Sequence, residues 1–182
     1  MRSSENDVLF RPLREEEITR ALFLHFCRRQ RVTNCLRNVG GEWREVFSPF
    51  TDDWNEEDYA RLTECLRSTL QKGGAVFGAL SGGRPKGFAS VEGEPLGFEG
   101  AYRELTSIHV SEDMRRGGLG KELFLRAKEW AKAQGAKKLY ISSHPAVESQ
   151  RFYRAMGCVD AKEITEKRTP NEPPDRRLEC EL

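Results

Sequence analysis

The chain has 182 residues, 37% of them hydrophobic and 32% charged, with 30 Lys and Arg against 29 Asp and Glu and a formal net charge of +1. That length fits one domain spanning 1–182 and can bury about 70% of its unfolded surface. No apolar run approaches the ~20 residues a membrane helix needs, Met1–Asp7 lacks the apolar stretch of a secretory signal, and interleaved charges give no global field for nucleic acid. A cytoplasmic protein with no membrane and no nucleic-acid partner is therefore expected. Five cysteines, odd in number and without a C-x-x-C pair, argue for reduced thiols. The three histidines have no partner at metal-ligand spacing, so no metal is expected.

In chain order, Ile18, Ala21, Leu22, Leu24 and His25 recur at helical spacing between Leu13 and about Gln30, and Glu15–Glu17 give an acidic first turn. A first helix is expected there, with Arg28, Arg29 and Arg31 as its solvated end rather than a binding patch. Asn55 caps a second helix that runs to Lys72 with Leu62, Cys65, Leu66 and Leu70 inward and Gly73–Gly74 as its stop. The loop between them carries Trp43, Phe47, Phe50, Asp52, Asp53 and Trp54. Either Trp43, Phe47 and Trp54 pack the loop onto the core while Asp52 and Asp53 precede a helix start, or the mix of aromatics and acids clasps a cationic amine; packing is the favoured expectation.

Ala75–Leu80 and Gly87–Val91 form a hairpin around the turn Ser81–Lys86. Next come a strand Glu104–Val110, a Gly-rich stretch, a long helix ending at Gly135, a strand Lys138–Ile141 and a helix Val147–Met156 stopped by Gly157. Strands Cys158–Ile164 and Arg177–Glu181 finish the chain. The order ααβββαβαββ implies an α/β (α+β) fold with a mixed, mostly antiparallel sheet flanked by helices.

Between the strand and the long helix, glycines let the backbone approach a ligand while free amides face an anion. A Walker A loop fails, because Arg115 stands where its first Gly belongs and Glu122 where its Ser or Thr belongs. A dinucleotide fingerprint places its third Gly on Leu123. What remains is Arg-x-x-Gly-x-Gly on Arg115, Gly118 and Gly120, followed at Phe152-Tyr153 and Gly157-Cys158 by a segment like F-Y-x-x-x-G-F.

With these two motifs in this order, the chain resembles the GNAT superfamily of acyl-CoA-dependent N-acyltransferases, most strongly over Glu104–Ala161. The resemblance implies a bulged strand that splays from its neighbour to admit pantetheine, bonded by main-chain groups of Ile108 and Val110. It implies a pyrophosphate cradle from Arg116, Gly117, Gly118, Gly120 and Lys121, with Arg115 adding charge. Tyr153 matches the family's acid beside the thioester sulfur, and Glu104 matches its base. Strand alternation places Glu104 on the face of Thr106, Ile108 and Val110, and His109 opposite. The family's pantetheine-binding Asn is Ala146 here; Ser143, His144 or Ser149 is expected to replace it, with Ser149 carried as the site residue. Cys158 stands for the segment's usual Phe and is expected to pack rather than react.

The implied activity is acetyl transfer from acetyl-CoA, as co-substrate, to a primary amine of a small molecule or protein by direct attack. The alternative is a non-catalytic acyl-CoA-binding sensor or interaction module on the same fold. Family members often dimerise through their terminal strands, so a homodimer is one expected state.

Overall fold

Nine strands and three α-helices lie within residues 7–162 and 175–182, the part of the chain that the computed structural model describes. The helix expected over Leu13–Gln30 does not form. In its place stand an edge strand β1 (Leu9–Pro12), two short 3-10 turns at Glu15–Glu17 and Arg20–Phe23, and the start of a long strand β2 (Arg29–Val39). Local bonds compete with the helix here. The Glu17 carboxylate accepts from Arg11 at 2.6 and 3.0 Å and from the Arg14 amide at 2.9 Å. Ile18 and Thr19 are extended, and the Thr19 hydroxyl accepts from the Leu22 amide. Ile18, Phe23 and Phe26 are the buried anchors, whereas Leu24 of the expected stripe is 66% exposed. The helical spacing thus records where tertiary contacts fall along an irregular path.

The expected loop after this segment is also a strand, β3 (Glu42–Asp53), which pairs with β2 as a separate two-stranded sheet. Gly40 and Gly41, at φ +62° and +91°, make the tight turn between them. Helix α1 (Glu56–Gln71) is as expected, with a reciprocal cap in which the Asn55 side chain takes the Asp58 amide and the Asp58 carboxylate takes the Asn55 amide. Then come β4 (Ala75–Ser81), β5 (Arg84–Val91), β6 (Tyr102–Val110), α2 (Leu119–Ala133), β7 (Lys138–Ser143), α3 (Val147–Ala155), β8 (Val159–Asp160) and β9 (Arg176–Glu181). The end of the expected strand Cys158–Ile164 lies outside the described residues.

The main sheet runs β1-β4-β5-β6-β7-β9-β8, with β6 and β7 parallel and the other described pairs antiparallel. Helix α2 covers one face, burying Leu123, Phe124 and Ala127 over Ala79, Ala89, Val91 and Leu105. The other face carries α1 and the N-terminal turns, with Ile18, Phe23, Leu62 and Leu66 packed on Val76, Leu80 and Phe88. Each fully buried Leu or Phe contributes about 1.5–3 kcal/mol to this core.

Two irregularities in β6 position the site. In its pairing with β5, Ser90 faces Ser107 but Val91 faces Leu105, so Thr106 is an extra residue in a bulge. An inserted residue reverses the alternation. Leu105 belongs to the α2 side, and beyond the bulge Ile108 and Val110 pack there too, while the His109 ring meets Phe88 and Trp54 on the α1 side. Glu104, one residue before Leu105, therefore takes the α1 side, the side of His109. This corrects the expectation that it shares a face with Ile108 and Val110. Secondly, β6 pairs with β7 only over Tyr102–Glu104 against Lys138–Tyr140, and the strands part beyond that point.

Candidate active site

The gap between the parted strands is a cavity of about 540 Å³. Its walls come from the end of β6, the turn before α2, the start of α3, the end of β7 and residues Arg28, Gln30 and Arg31 at the start of β2. The main chain of β6 is turned toward it. The Ser111 amide donates to Lys86 on the β5 side, and alternation points His109 and Ser107 the same way, which leaves the Ile108 and Val110 main chain facing the gap. Consistent with this, the Val110 carbonyl accepts from Arg115 Nε at 3.2 Å.

The Gly-rich turn ends at Gly118, whose φ of +81° is the left-handed conformation a glycine adopts without strain and which opens α2. The first bond within α2 runs from the Glu122 amide to the Gly118 carbonyl, so the amides of Leu119, Gly120 and Lys121 have no helical partner. A Cβ on Gly120 would meet Phe152 at 3.3 Å, so a larger residue fills the approach to these amides. Free amides, the positive helix end and the Arg115 and Arg116 side chains suit a phosphate-bearing ligand.

Of the expected binding residues, Ile108, Val110, Arg115, Arg116, Gly120 and Ser149 line the cavity, as does Tyr153. Gly117 and Gly118 on the turn and Lys121 in the first turn of α2 are exposed and lie outside its lining. Burial raises the Tyr153 pKa, so its hydroxyl holds its proton at neutral pH. Glu104 lines a second cavity of about 510 Å³, between α1 and the sheet, with Glu64, Glu92 and Glu94. Thr106, the bulge residue, lines both cavities.

Ala146, at the place of the family's Asn, is fully buried and bridges to Cys35 of β2. Among its expected replacements, Ser143 is engaged by the Arg176 carbonyl and Gln150, while His144 and Ser149 line the cavity. Cys158 is buried, and a hydrogen bond with Cys180 together with burial raises its pKa, as suits a packing residue.

The hairpin side of the cavity holds what the sequence did not disclose. Arg28, read as a solvated helix end, is 5% exposed and pairs with Asp52 at 2.8 Å. Its Nε donates to His109 Nδ1 at 3.1 Å. Burial, then the charge of Arg28, lowers the His109 pKa to about 3, so this imidazole is neutral and its Nδ1 is occupied. His144 Nε2 stands 3.6 Å from Asp52, and its pKa too is lowered by burial. Asp52 thus faces Arg28 and His144 through Oδ2 and is not part of the cavity lining. Phe47, at 77% exposure, does not pack onto the core, whereas Phe50 meets the His144 ring, Trp43 lies beneath the Arg176 guanidinium, and Trp54 packs against Tyr59 and His109. No local pattern marks Arg28; its burial comes from the fold alone.

A sequence model of the acetyltransferase (GNAT) family matches residues 41–158. The chain matches none of the curated proteins. Among solved structures, nourseothricin acetyltransferase is similar at 18% identity and a TM-score of 0.68, over 94% of this chain and 95% of that one. A protein assigned as streptothricin acetyltransferase from Bacillus anthracis str. Ames, in complex with acetyl coenzyme A, is similar at 18% identity and a TM-score of 0.71, over 97% and 100%. PaiA N-acetyltransferase from Thermoplasma acidophilum, in complex with coenzyme A, is similar at 14% identity and a TM-score of 0.60, over 97% and 99%. At these identities the likeness is one of fold.

Proposed function

The chain belongs to the acetyltransferase (GNAT) family, and from that premise we propose that it carries an acetyl group from acetyl-CoA to a primary amine of a small molecule or protein, by direct attack in a ternary complex. One observation carries this reading: the main chain of Ile108 and Val110, Gly120 with its free amide at the start of α2 and the Tyr153 side chain all border one cavity in a parted sheet. The residues fit the cofactor. The Leu119–Lys121 amides, with Arg115 and Arg116, hold its pyrophosphate, Ile108 and Val110 bond its pantetheine, and the Ser149 hydroxyl offers pantetheine a polar group that Ala146 does not have.

When bound, acetyl-CoA supplies the activated thioester. The main-chain N–H near Val110 polarises its carbonyl, and oriented donors of this kind contribute about 2.7–4 kcal/mol to such reactions. Tyr153 protonates the departing sulfur, a role for which its raised pKa keeps the phenol neutral. Glu104 takes the amine's proton from the α1 side, relayed by water past Thr106, which lines both cavities. His109 is unfit for that task, since its pKa of about 3 leaves it a very weak base. A cytoplasmic setting agrees with the five cysteines, all free in the structure.

Thermal unfolding with acetyl-CoA, ATP and NAD tests the cofactor before any acceptor is known. Acetyl-CoA at a hundredfold over its Kd adds ~2.7 kcal/mol, an upward shift of roughly 5–10 °C; a shift with ATP or NAD alone would overturn the reading. Amine-dependent thiol release then separates the enzyme from a sensor, and Glu104→Gln is expected to lower kcat about 100-fold.

A further inference from the structure

The guanidinium of Arg28 has three corners, and two are occupied. Nε donates to His109 at 3.1 Å and Nη2 to Asp52 at 2.8 Å, while Nη1 is buried with no partner among the described residues. The side chain is 5% exposed, so bulk water does not satisfy the third corner, and Arg28 forms part of the cavity wall. Leaving a charged donor buried and unpaired is costly, so this corner calls for a partner, and among the buried unpaired guanidinium nitrogens it is the one whose residue lines this cavity. Its surroundings specify the ligand's charge. Arg28, Arg31, Arg115 and Arg116 line the cavity against one lining carboxylate, Glu148, with Asp52 behind Arg28. Arg115 and Arg116 sit at the start of α2 and belong to the phosphate end. Arg28 and Arg31 stand on the opposite wall with Gln30, and one Asp balances only one of them. His109 accepts from Arg28 and offers no negative charge.

We propose that Arg28 binds a carboxylate on the acceptor, which makes the acceptor an amino-acid-like amine rather than a polycation. Nη1 donates to one carboxylate oxygen, and Gln30 and Arg31 supply donors for the other. The inference rests on the acyltransferase reading and narrows its substrate class. The same chemistry could reside on a dicarboxylic acyl group, so the test separates the two sources.

Amino acids, both α and ω, are compared with their amides as acceptors, by thiol release with acetyl-CoA and by thermal stabilisation of the CoA-bound protein. At least one acid is expected to exceed its amide tenfold in kcat/KM or in affinity. Arg28→Gln should reduce that preference below threefold, and Arg28→Lys should retain part of it, with the acetyl-CoA Kd within threefold of wild type in both. If Arg28→Gln does not fold, the wild-type pairs and Arg28→Lys decide. Equal treatment of acids and amides by the wild type, or a preference untouched in the variants, overturns the proposal. So does a preference for succinyl-CoA over acetyl-CoA that depends on Arg28. Absence of acetyl-CoA binding to the wild type would instead bring down the acyltransferase reading beneath it.

Discussion

The two walls of the β6–β7 gap are built by different means. On the α2 side, the bordering groups come from two stretches of sequence, 108–120 and 149–153, and much of their chemistry is main-chain. On the hairpin side, Arg28, Asp52, His109 and His144 come from four separate places in the chain and work through side chains. A main-chain site leaves a local record, because glycines must sit where a positive φ or a close approach requires them. A side-chain site assembled across the fold leaves none. The difference also divides the labour: the first wall suits a ligand common to a family, and the second a ligand particular to one member.

The largest expected effect strikes the first wall. Gly120→Val places a branched side chain against Phe152, where even a Cβ comes to 3.3 Å, and should weaken acetyl-CoA binding at least 100-fold by calorimetry, with the fold intact by circular dichroism. Near-native binding would mean that the ligand does not enter between α2 and α3. Tyr153→Phe removes the donor and little else, so kcat should fall about 100-fold with the acetyl-CoA Kd unchanged; an unaltered rate at saturating substrates would remove Tyr153 from the chemistry.

The second wall is probed by pH. The His109 pKa of about 3 lies below its ordinary 6.5, so between these values the unfolded chain binds the proton and the folded one does not. Stability is therefore fullest above pH 6.5 and declines as pH falls toward 3. His109→Gln, which keeps an acceptor for Arg28, should flatten that slope in urea titrations at pH 7.5 and 5. The smallest effect concerns the turns that support this wall. Glu17, held down to a pKa of about 2 by Arg11 and the Arg14 amide, contributes stability above 4.5 that is lost as pH falls to 2. Discounted for solvent screening, its replacement in Glu17→Gln should cost about 1 kcal/mol, or 2–4 °C at pH 7, and nothing at pH 2.

From β4 onward the elements follow the sequence closely, because caps, Gly turns and apolar runs agree there, and the same agreement sets α1 just before: Asn55 with Asp58, Gly82–Gly83, and Gly135 each mark a boundary that the fold keeps. Before α1 the signals conflict. The helix-like spacing of Ile18, Ala21 and Leu22 competes with side-chain bonds of Glu17 and Thr19 that stop any helix, and tertiary burial of Phe23 and Phe26 decides the path. Gly40–Gly41 did announce the hairpin, but the polar faces of β2 and β3 obscured it. The face of Glu104 was illegible for another reason, since the bulge at Thr106 carries no Gly or Pro to mark it.

The parted strands have a consequence for the life of the molecule. Three residue pairs join β1-β4-β5-β6 to β7-β9-β8, stitched further by the Tyr102 hydroxyl on Glu179. A ligand that bonds Ile108 and Val110 on one margin and touches α3 on the other does the work of an inserted strand, completing a ladder the chain leaves open. The empty protein is then the more perishable form, opening first at this seam to exchange and to proteases. Its persistence in a cell would follow the supply of its own acetyl donor.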